Sequence, residues 1–406
     1  MAGILPSPHD RDTAHSAAAS ALGYIYQCRL ALVYALRRLA TGKSFKLSIE
    51  TLDDVVFDND GAAVELLQAK HHISGTASLT DSSPELWSAL RVWCEALTSG
   101  ALPQDALVYL LTTSSAPNGS AASYLGPLDR DEAAALQRLS AALTTSTNQT
   151  NTAAYSAFRN LSDQQRKDLM KRTTIFASAA SIHDLDDELR QVMFFAVARE
   201  HLDSFLQRFE GWWFRRVILH LSQNGDHIHG DELESKQAEL REQFKRDQLP
   251  IDSDIMTASI DASGYQDMVF VHQMRLIEVS SRRIVLAIQD YFRAYEQRSR
   301  WMREELLLVG ELDQYESRLV DEWERLFEQM RDELGDDAAE NAKRTAAHSI
   351  FKWVESGMHT PIRGGMQEHT IARGSYQMLA DDLRVGWHLD FRDRLAALLA
   401  SAEAES

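Results

Sequence analysis

A chain of 406 residues has room for two or three domains at roughly 100 to 200 residues each, and its 44% apolar and 25% charged residues exclude collagen-like, disordered and disulfide-scaffold chains. Lys+Arg 42 against Asp+Glu 60 leaves a net charge of −18, which excludes coating of nucleic acid by bulk charge alone. No apolar run approaches the roughly 18 residues of a membrane span, and Asp10-Arg11-Asp12 interrupts the stretch where a secretory leader would be apolar, so a cytoplasmic location without a membrane partner is expected.

In chain order, Ser16 to Ala40 places Leu22, Tyr26, Leu30, Val33 and Leu36 at a helical period that Gly42 ends. Three strands are expected next, over Phe45 to Glu50, Asp54 to Phe57 and Ala63 to Lys70. Asp58-Asn59-Asp60-Gly61 predicts a hairpin turn between the last two, because Asn, Asp and Gly tolerate positive φ. Ser83-Pro84-Glu85 opens a helix with a capping serine and a proline in its first turn, running through Trp87, Leu90 and Trp93 to Leu97. Ala106 to Thr112 is an apolar strand. From Leu143 to Ala154 the composition turns to Thr, Ser, Asn and Ala, which predicts a linker or surface loop, with only helices beyond it.

The second half carries an aromatic helix over Phe194 to Leu221, with Phe205, Phe209, Trp212, Trp213 and Phe214, that breaks at Asn224-Gly225. An acidic helix is expected from about Met302 to Leu334, with Leu308, Leu312, Tyr315, Leu319, Trp323, Leu326, Met330 and Leu334 along one stripe. Between Trp301 and Glu340 there are 14 acidic and 4 basic residues, against 12 and 8 between Met1 and Ser120, so a DNA-binding surface fits the first part and a solvated or partner-facing surface the acidic block. Cys28 and Cys94 sit in apolar helical patterns and read as core thiols.

The residues with the sharpest chemistry are Glu50-Thr51-Leu52-Asp53-Asp54 followed by Gln68-Ala69-Lys70. Alternate side chains share a strand face, so Gln68 and Lys70 point the same way, and the hairpin brings the strand of Asp54 alongside. Phosphodiester hydrolysis needs a divalent ion, and Mg²⁺ (or Mn²⁺) takes hard oxygen ligands. Asp54, the Gln68 carbonyl and Glu50 are the candidate metal ligands, with the Ala69 backbone carbonyl beside them. Lys70 would orient or help deprotonate the attacking water. If Glu50 and Asp54 share a strand face, Asp53 points away from it.

This order of elements, the hairpin and Gly23-Tyr24-Ile25-Tyr26-Gln27 on the first helix together resemble the PD-(D/E)XK nuclease superfamily, and within it the double-stranded-DNA endonuclease domain of bacterial anti-phage effectors of the CBASS type. The resemblance covers about the first 115 residues and falls on Gln27, Glu50, Asp53, Asp54, Gln68 and Lys70. Gln68 stands where an acid is usual, which removes one negative ligand. Farther on, Trp301 to Leu308, Leu319 to Trp323, Arg373 to Asp381 and Val385 to His388 resemble the C-terminal domain of ABC-three-component defence proteins. A nuclease joined to such a tail is similar to the effector subunit of Lamassu systems. The resemblance implies double-stranded DNA as substrate, a complex with an SMC-like ABC ATPase and a third small subunit, a possible homo-oligomer when active, and a nuclease released on sensing foreign DNA.

The expected fold is therefore an α/β PD-(D/E)XK domain over 1–141, connecting elements over 142–190, a helical middle region over 191–265 and a helical partner-docking domain over 266–406. Two other readings remain: a non-catalytic DNA-binding scaffold, which would tolerate loss of Lys70, and a nuclease switched by a cyclic nucleotide. Lesser motifs carry less. Gly42-Lys43-Ser44 lacks the glycine that a phosphate-binding loop needs at position 37, which is Arg37. His227-Ile228-His229 beside Asp226 reads as a surface loop, His71 and His72 as donors near a scissile phosphate or a solvated strand end, and Trp212-Trp213-Phe214-Arg215-Arg216 as a helix with its aromatic face inward.

Overall fold

The computed structural model describes residues 8–42, 44–50, 53–58, 64–70, 77–222, 226–335, 337–357 and 360–396. The chain divides into two compact units, Met1–Glu239 and Leu240–Ser406.

In the first unit, α1 (Pro8–Leu39) leads into β1 (Lys46–Ile49), β2 (Val55–Asp58) and β3 (Glu65–Lys70), then α2 (Pro84–Ser99) and β4 (Leu107–Thr112). Next come α3 (Ala121–Tyr124), α4 (Glu132–Thr145), α5 (Thr152–Asn160), α6 (Asp163–Arg172), β5 (Thr173–Phe176), α7 (Asp184–Val192), α8 (Leu202–Ser222), β6 (Ile228–His229) and α9 (Gly230–Gln243). Among the described residues six strands make one sheet in the order β5-β4-β3-β2-β1-β6. The β1, β2 and β3 neighbours pair antiparallel, with Ile49 opposite Val55 and Val55 opposite Leu67. β3, β4 and β5 run parallel, which long helical crossovers require. Val55, Val56 and Phe57 are all buried, so the sheet is covered on both faces and its strands read as apolar runs rather than alternations.

Tyr26, Leu30, Val33 and Leu36 of α1 are buried as their spacing predicts, and α2 starts at Pro84 and ends on Gly100 in the left-handed region. Ser83 precedes α2, but its side chain makes no capping bond; its backbone carbonyl accepts from Trp87 N–H at 3.2 Å instead. The turn at Asn59 to Gly61 lies outside the described residues.

Residues 142–190, expected to connect domains, contain helices α5 and α6 and strand β5, which pairs with β4. The polar residues that suggest a linker are caps: Asn148 accepts from Thr150 N–H, and Ser162 and Gln165 form a capping box. Tyr155 and Phe158 between them pack edge-on to Trp87, with centroids at 4.5 and 5.6 Å, which draws the segment into the core. The expectation of helices alone after Leu143 also fails, because β5 and β6 extend the sheet at both edges.

The second unit is helical among its described residues: α10 (Ser253–Met256), α11 (Val269–Leu276), α12 (Ser281–Arg303), α13 (Glu311–Leu334), α14 (Glu340–Ser356) and α15 (His369–Asp381). The acidic helix begins at Glu311, not near Met302. Glu305 and Gly310, both at positive φ, turn the chain between α12 and α13, and Leu308 in that turn is exposed. On α13 the buried stripe is Tyr315, Leu319, Trp323, Phe327 and Met330, so Phe327 takes the place expected for Leu326. Trp323 Nε1 donates to the Gly386 carbonyl at 2.8 Å. Glu322 is half-buried beside Thr360 and Tyr376 and is not one of the outward acids, unlike Glu324 and Glu328.

The glycines of the two C-terminal motifs have steric roles. A Cβ on Gly374 would stand 2.0 Å from the Asp290 carbonyl oxygen, and one on Gly386 would stand 2.2 Å from the Phe391 ring. Gly374 thus lets α15 lie directly against the backbone of α12, where Arg373 also pairs with Asp290 at 2.8 Å. Gly374→Ala is expected to destabilise this unit by at least about 1–3 kcal/mol, the usual cost of overpacking. Chemical denaturation followed through its tryptophans would show this, and an unchanged midpoint would refute the close helix crossing.

Candidate functional site

The site lies where β1 ends and β2 begins. β1 stops at Ile49, and Glu50 takes φ 55, a left-handed conformation that costs a non-glycine residue roughly 1–2 kcal/mol. Glu50 N–H donates to the Asp54 carbonyl at 3.1 Å, closing a tight connection that returns the chain into β2. Thr51 and Leu52 lie outside the described residues.

Asp53 and Asp54 are adjacent in sequence and differ in role. Asp53 is buried at 7% exposure, and both its oxygens are taken: Oδ1 accepts from Asp54 N–H at 3.0 Å and Oδ2 from Trp93 Nε1 at 2.8 Å. Burial pushes its carboxyl up to about 6, against a smaller downward pull from the Trp93 bond. Asp54 is only partly buried, and its Oδ2 accepts from Ala69 N–H at 2.7 Å, binding the start of β2 to the end of β3. Desolvation raises its carboxyl above the ordinary range while Lys70, the Ala69 amide and the Gln27 side chain pull it down. Glu50 is raised too, first by partial desolvation of its carboxyl and then by the neighbouring Asp54 charge, with Lys70 opposing.

Gln68 precedes Ala69 on β3 and is buried at 4%, and its Oε1 has no hydrogen-bond partner among the described residues. A buried carboxamide oxygen without a donor is costly unless something electropositive meets it. Gln27 on α1, Glu50, Asp54, Gln68 and Lys70 are thus gathered at the adjoining ends of β1, β2 and β3, and Asp53 supports them from below. His71 lies outside the described residues. Tyr24, one turn before Cys28 on α1, is a neighbour not singled out from the sequence: its hydroxyl bonds the Cys28 thiol, it feels the Glu50 charge, and burial pushes it up to about 12.

The donor set fits a hard divalent cation. Two carboxylates and a neutral, unpartnered oxygen match an ion such as Mg²⁺ that binds through one or two carboxylates plus substrate phosphate and water. No group of three or more His, Cys, Asp and Glu residues is placed for one ion among the described residues.

The other candidates resolve structurally. Cys28 and Cys94 are buried, with thiols pushed up to about 11 and about 12 by desolvation. Trp213 is buried and donates to the Cys28 carbonyl at 2.8 Å, while Arg216 pairs with Glu232 at 2.6 Å and Arg215 is exposed, so the aromatic face of α8 is core. Ile228 and His229, expected in a surface loop, form β6 on the edge of the sheet.

Residues 270–395 match C-terminal domain 7 of the ABC-three-component (ABC-3C) systems. The C-terminal domain of this chain is therefore a component of ABC-3C anti-phage defence systems. The match spans less than a third of the chain and leaves the first unit outside it. Among solved structures, the chain is similar to the Acinetobacter baumannii Cap4 receptor, a SAVED/CARF-domain protein solved with the cyclic trinucleotide 3'3'3'-cAAA, at 15% identity and a TM-score of 0.33, covering 67% of this chain and 58% of that one. No curated protein matches the sequence. No helix among the described residues is long and apolar enough to cross a membrane.

Two predictions separate the adjacent aspartates. Asp53→Ala strands the buried Trp93 N–H and should cost about 1–3 kcal/mol of stability. Asp54→Ala should cost less, because its bond to the Ala69 amide is only part-buried, and should weaken binding of a divalent ion. Urea titrations alongside calorimetric Mn²⁺ titrations check both, and equal destabilisation by the two would refute the division of roles. Because the carboxyl of Asp53 is raised from 3.8 to about 6 in the folded protein, folding takes up protons between those values, and its stabilising contribution is lost as pH rises through about 6. Asp53→Asn should flatten the pH dependence of stability across that window, read as denaturation midpoints at pH 4, 5, 6 and 7.

Proposed function

We propose that the first unit is a metal-dependent DNA endonuclease of the PD-(D/E)XK kind and that the chain is the nuclease effector of its ABC-three-component system, similar to the Lamassu effector. The observation that carries this reading is the buried, unpartnered Gln68 Oε1 set between the Asp54 and Lys70 positions, with Glu50 held at φ 55 beside them. Asp54, Gln68 and Glu50 would hold Mg²⁺ or Mn²⁺, which when bound supplies charge neutralisation and polarises water. Lys70 would orient the attacking water, whose proton passes to solvent. As the water oxygen bonds to phosphorus, the P–O bond to the leaving nucleotide breaks and its oxygen takes a proton from solvent, while the Lys70 ammonium faces the charge that gathers on the phosphoryl oxygens. Gln27 orients Asp54, and Asp53 holds the turn against α2.

In this reading the second unit docks the remaining components, an SMC-like ATPase and a small subunit, which restrain the nuclease until foreign DNA is sensed. The outward acids of α13, Glu324 and Glu328 among them, supply a negative face for encounter with a basic partner, since charge complementarity governs encounter more than stability.

Lys70→Ala should lower cleavage of double-stranded DNA by at least about 100-fold while leaving the fold intact, because a partly exposed charge at a strand end adds little stability. A supercoiled-plasmid assay with Mg²⁺ and with Mn²⁺ measures it. Undiminished cutting by a folded Lys70→Ala protein would remove the site assignment, and DNA binding without cutting by the wild type would favour the scaffold reading.

A further inference from the structure

The outer edge of β1 is closed residue by residue by a segment about 180 residues downstream. Gly230 N–H donates to the Phe45 carbonyl at 3.0 Å, His229 pairs with Lys46 and Ile228 with Leu47, and Ser48 Oγ lies 2.6 Å from His227 Nδ1. The contact at Phe45 is close enough that a Cβ on Gly230 would stand 2.9 Å from the Phe45 ring. β6 ends there, and the last backbone group of β1 is met by a side chain from α8. Ile49 N–H donates to His220 Nε2 at 3.0 Å. Nε2 also lies 3.3 Å from the Ile49 carbonyl oxygen and Nδ1 lies 2.7 Å from the Asp226 carbonyl oxygen; the tautomer with its proton on Nδ1 is the one that lets the ring accept from Ile49 N–H and donate to Asp226. His220 is 2% exposed, so neither bond is shared with solvent.

Ile49 is the residue before Glu50, and the left-handed turn at Glu50 begins where the His220 bond ends. A strained φ persists only where the surrounding structure over-determines it. On one side the connection is closed by Glu50 N–H on the Asp54 carbonyl, and on the other by His220 on Ile49. We infer that His220 is a positioning residue of the site: through the Ile49 amide it sets the backbone of Glu50 and so the placement of its carboxylate. α8 thereby contributes to the site from well outside the segment that supplies its ligands, and a shift of α8 would reach Glu50 through the Ile49 amide. For its catalytic consequence this inference rests on the nuclease reading, whereas the control of Glu50 by His220 does not.

The test compares wild type, His220→Phe, His220→Asn and His220→Gln. Phe fills the space without an acceptor. Asn keeps a donor for the Asp226 carbonyl but does not reach the Ile49 amide, and so serves if the Phe variant does not fold. Gln places an oxygen where Nε2 stands. Amide hydrogen exchange at Ile49 and Glu50 is read first, followed by Mn²⁺ titration and plasmid cleavage. The expected result is loss of protection at both amides in the Phe and Asn variants, with Mn²⁺ affinity and cleavage down by about 10- to 100-fold, and recovery of most of both in Gln. Wild-type protection in folded Phe and Asn variants, or a Gln variant as defective as they are, would overturn the inference. If the wild type binds no divalent ion and cuts no DNA while protection still follows residue 220, the nuclease reading falls and the positioning role stands.

Discussion

A single hydrogen bond organises the site: Asp54 Oδ2 accepting the Ala69 amide at 2.7 Å. It spans from the start of β2 to the end of β3 beside the last ladder pair, and it fixes the direction of the Asp54 carboxylate. Because Asp54 is desolvated and close to Glu50, its charge is costly, and the Lys70 ammonium and the Gln27 side chain are what offset it. The cluster is therefore interdependent. The two carboxylates disfavour each other's charge while Lys70 favours both, a condition under which a bound cation would add stability.

Around this bond the first unit is built in layers. Trp93 of α2 holds Asp53, and Asp53 holds the Asp54 amide, so the helix that crosses from β3 to β4 also props the turn that carries the acids. Trp87, six residues earlier on the same helix, packs against Tyr155 and Phe158, carrying the core into α5. α1 contributes Gln27 and Tyr24, and His220 with residues 227–230 secures the outer edge of β1. The second unit is built differently, with glycines where helices touch and buried aromatics between them.

Much of the local pattern could be read directly from residues. The apolar period of α1, the strand runs and the proline and glycine bounding α2 act within a few residues of themselves, so spacing alone reveals them. The grouping of Asp54 with Gln68 and Lys70 is of this kind too, because an antiparallel hairpin brings near neighbours in sequence together. Where the pattern misled, longer-range packing overrode it. The Ser, Thr and Asn of residues 143 to 154 look like a linker but cap helices held by Trp87, and Leu308 continues the helical phase of α13 yet sits in a turn set by Gly310.

The sequence by itself determined the order of elements in the first 112 residues, the candidate acids and lysine, and the acidic character of the C-terminal half. Only the tertiary structure decided which aspartate is structural, because the group that consumes Asp53, Trp93 Nε1, lies 40 residues away. The same holds for Glu50, whose strained backbone is held through an amide bonded to an imidazole 171 residues downstream. Periodicity carries no information over such separations: which buried donor meets which buried acceptor is settled by how helices and strands pack, and a short-range pattern constrains that packing only in sum.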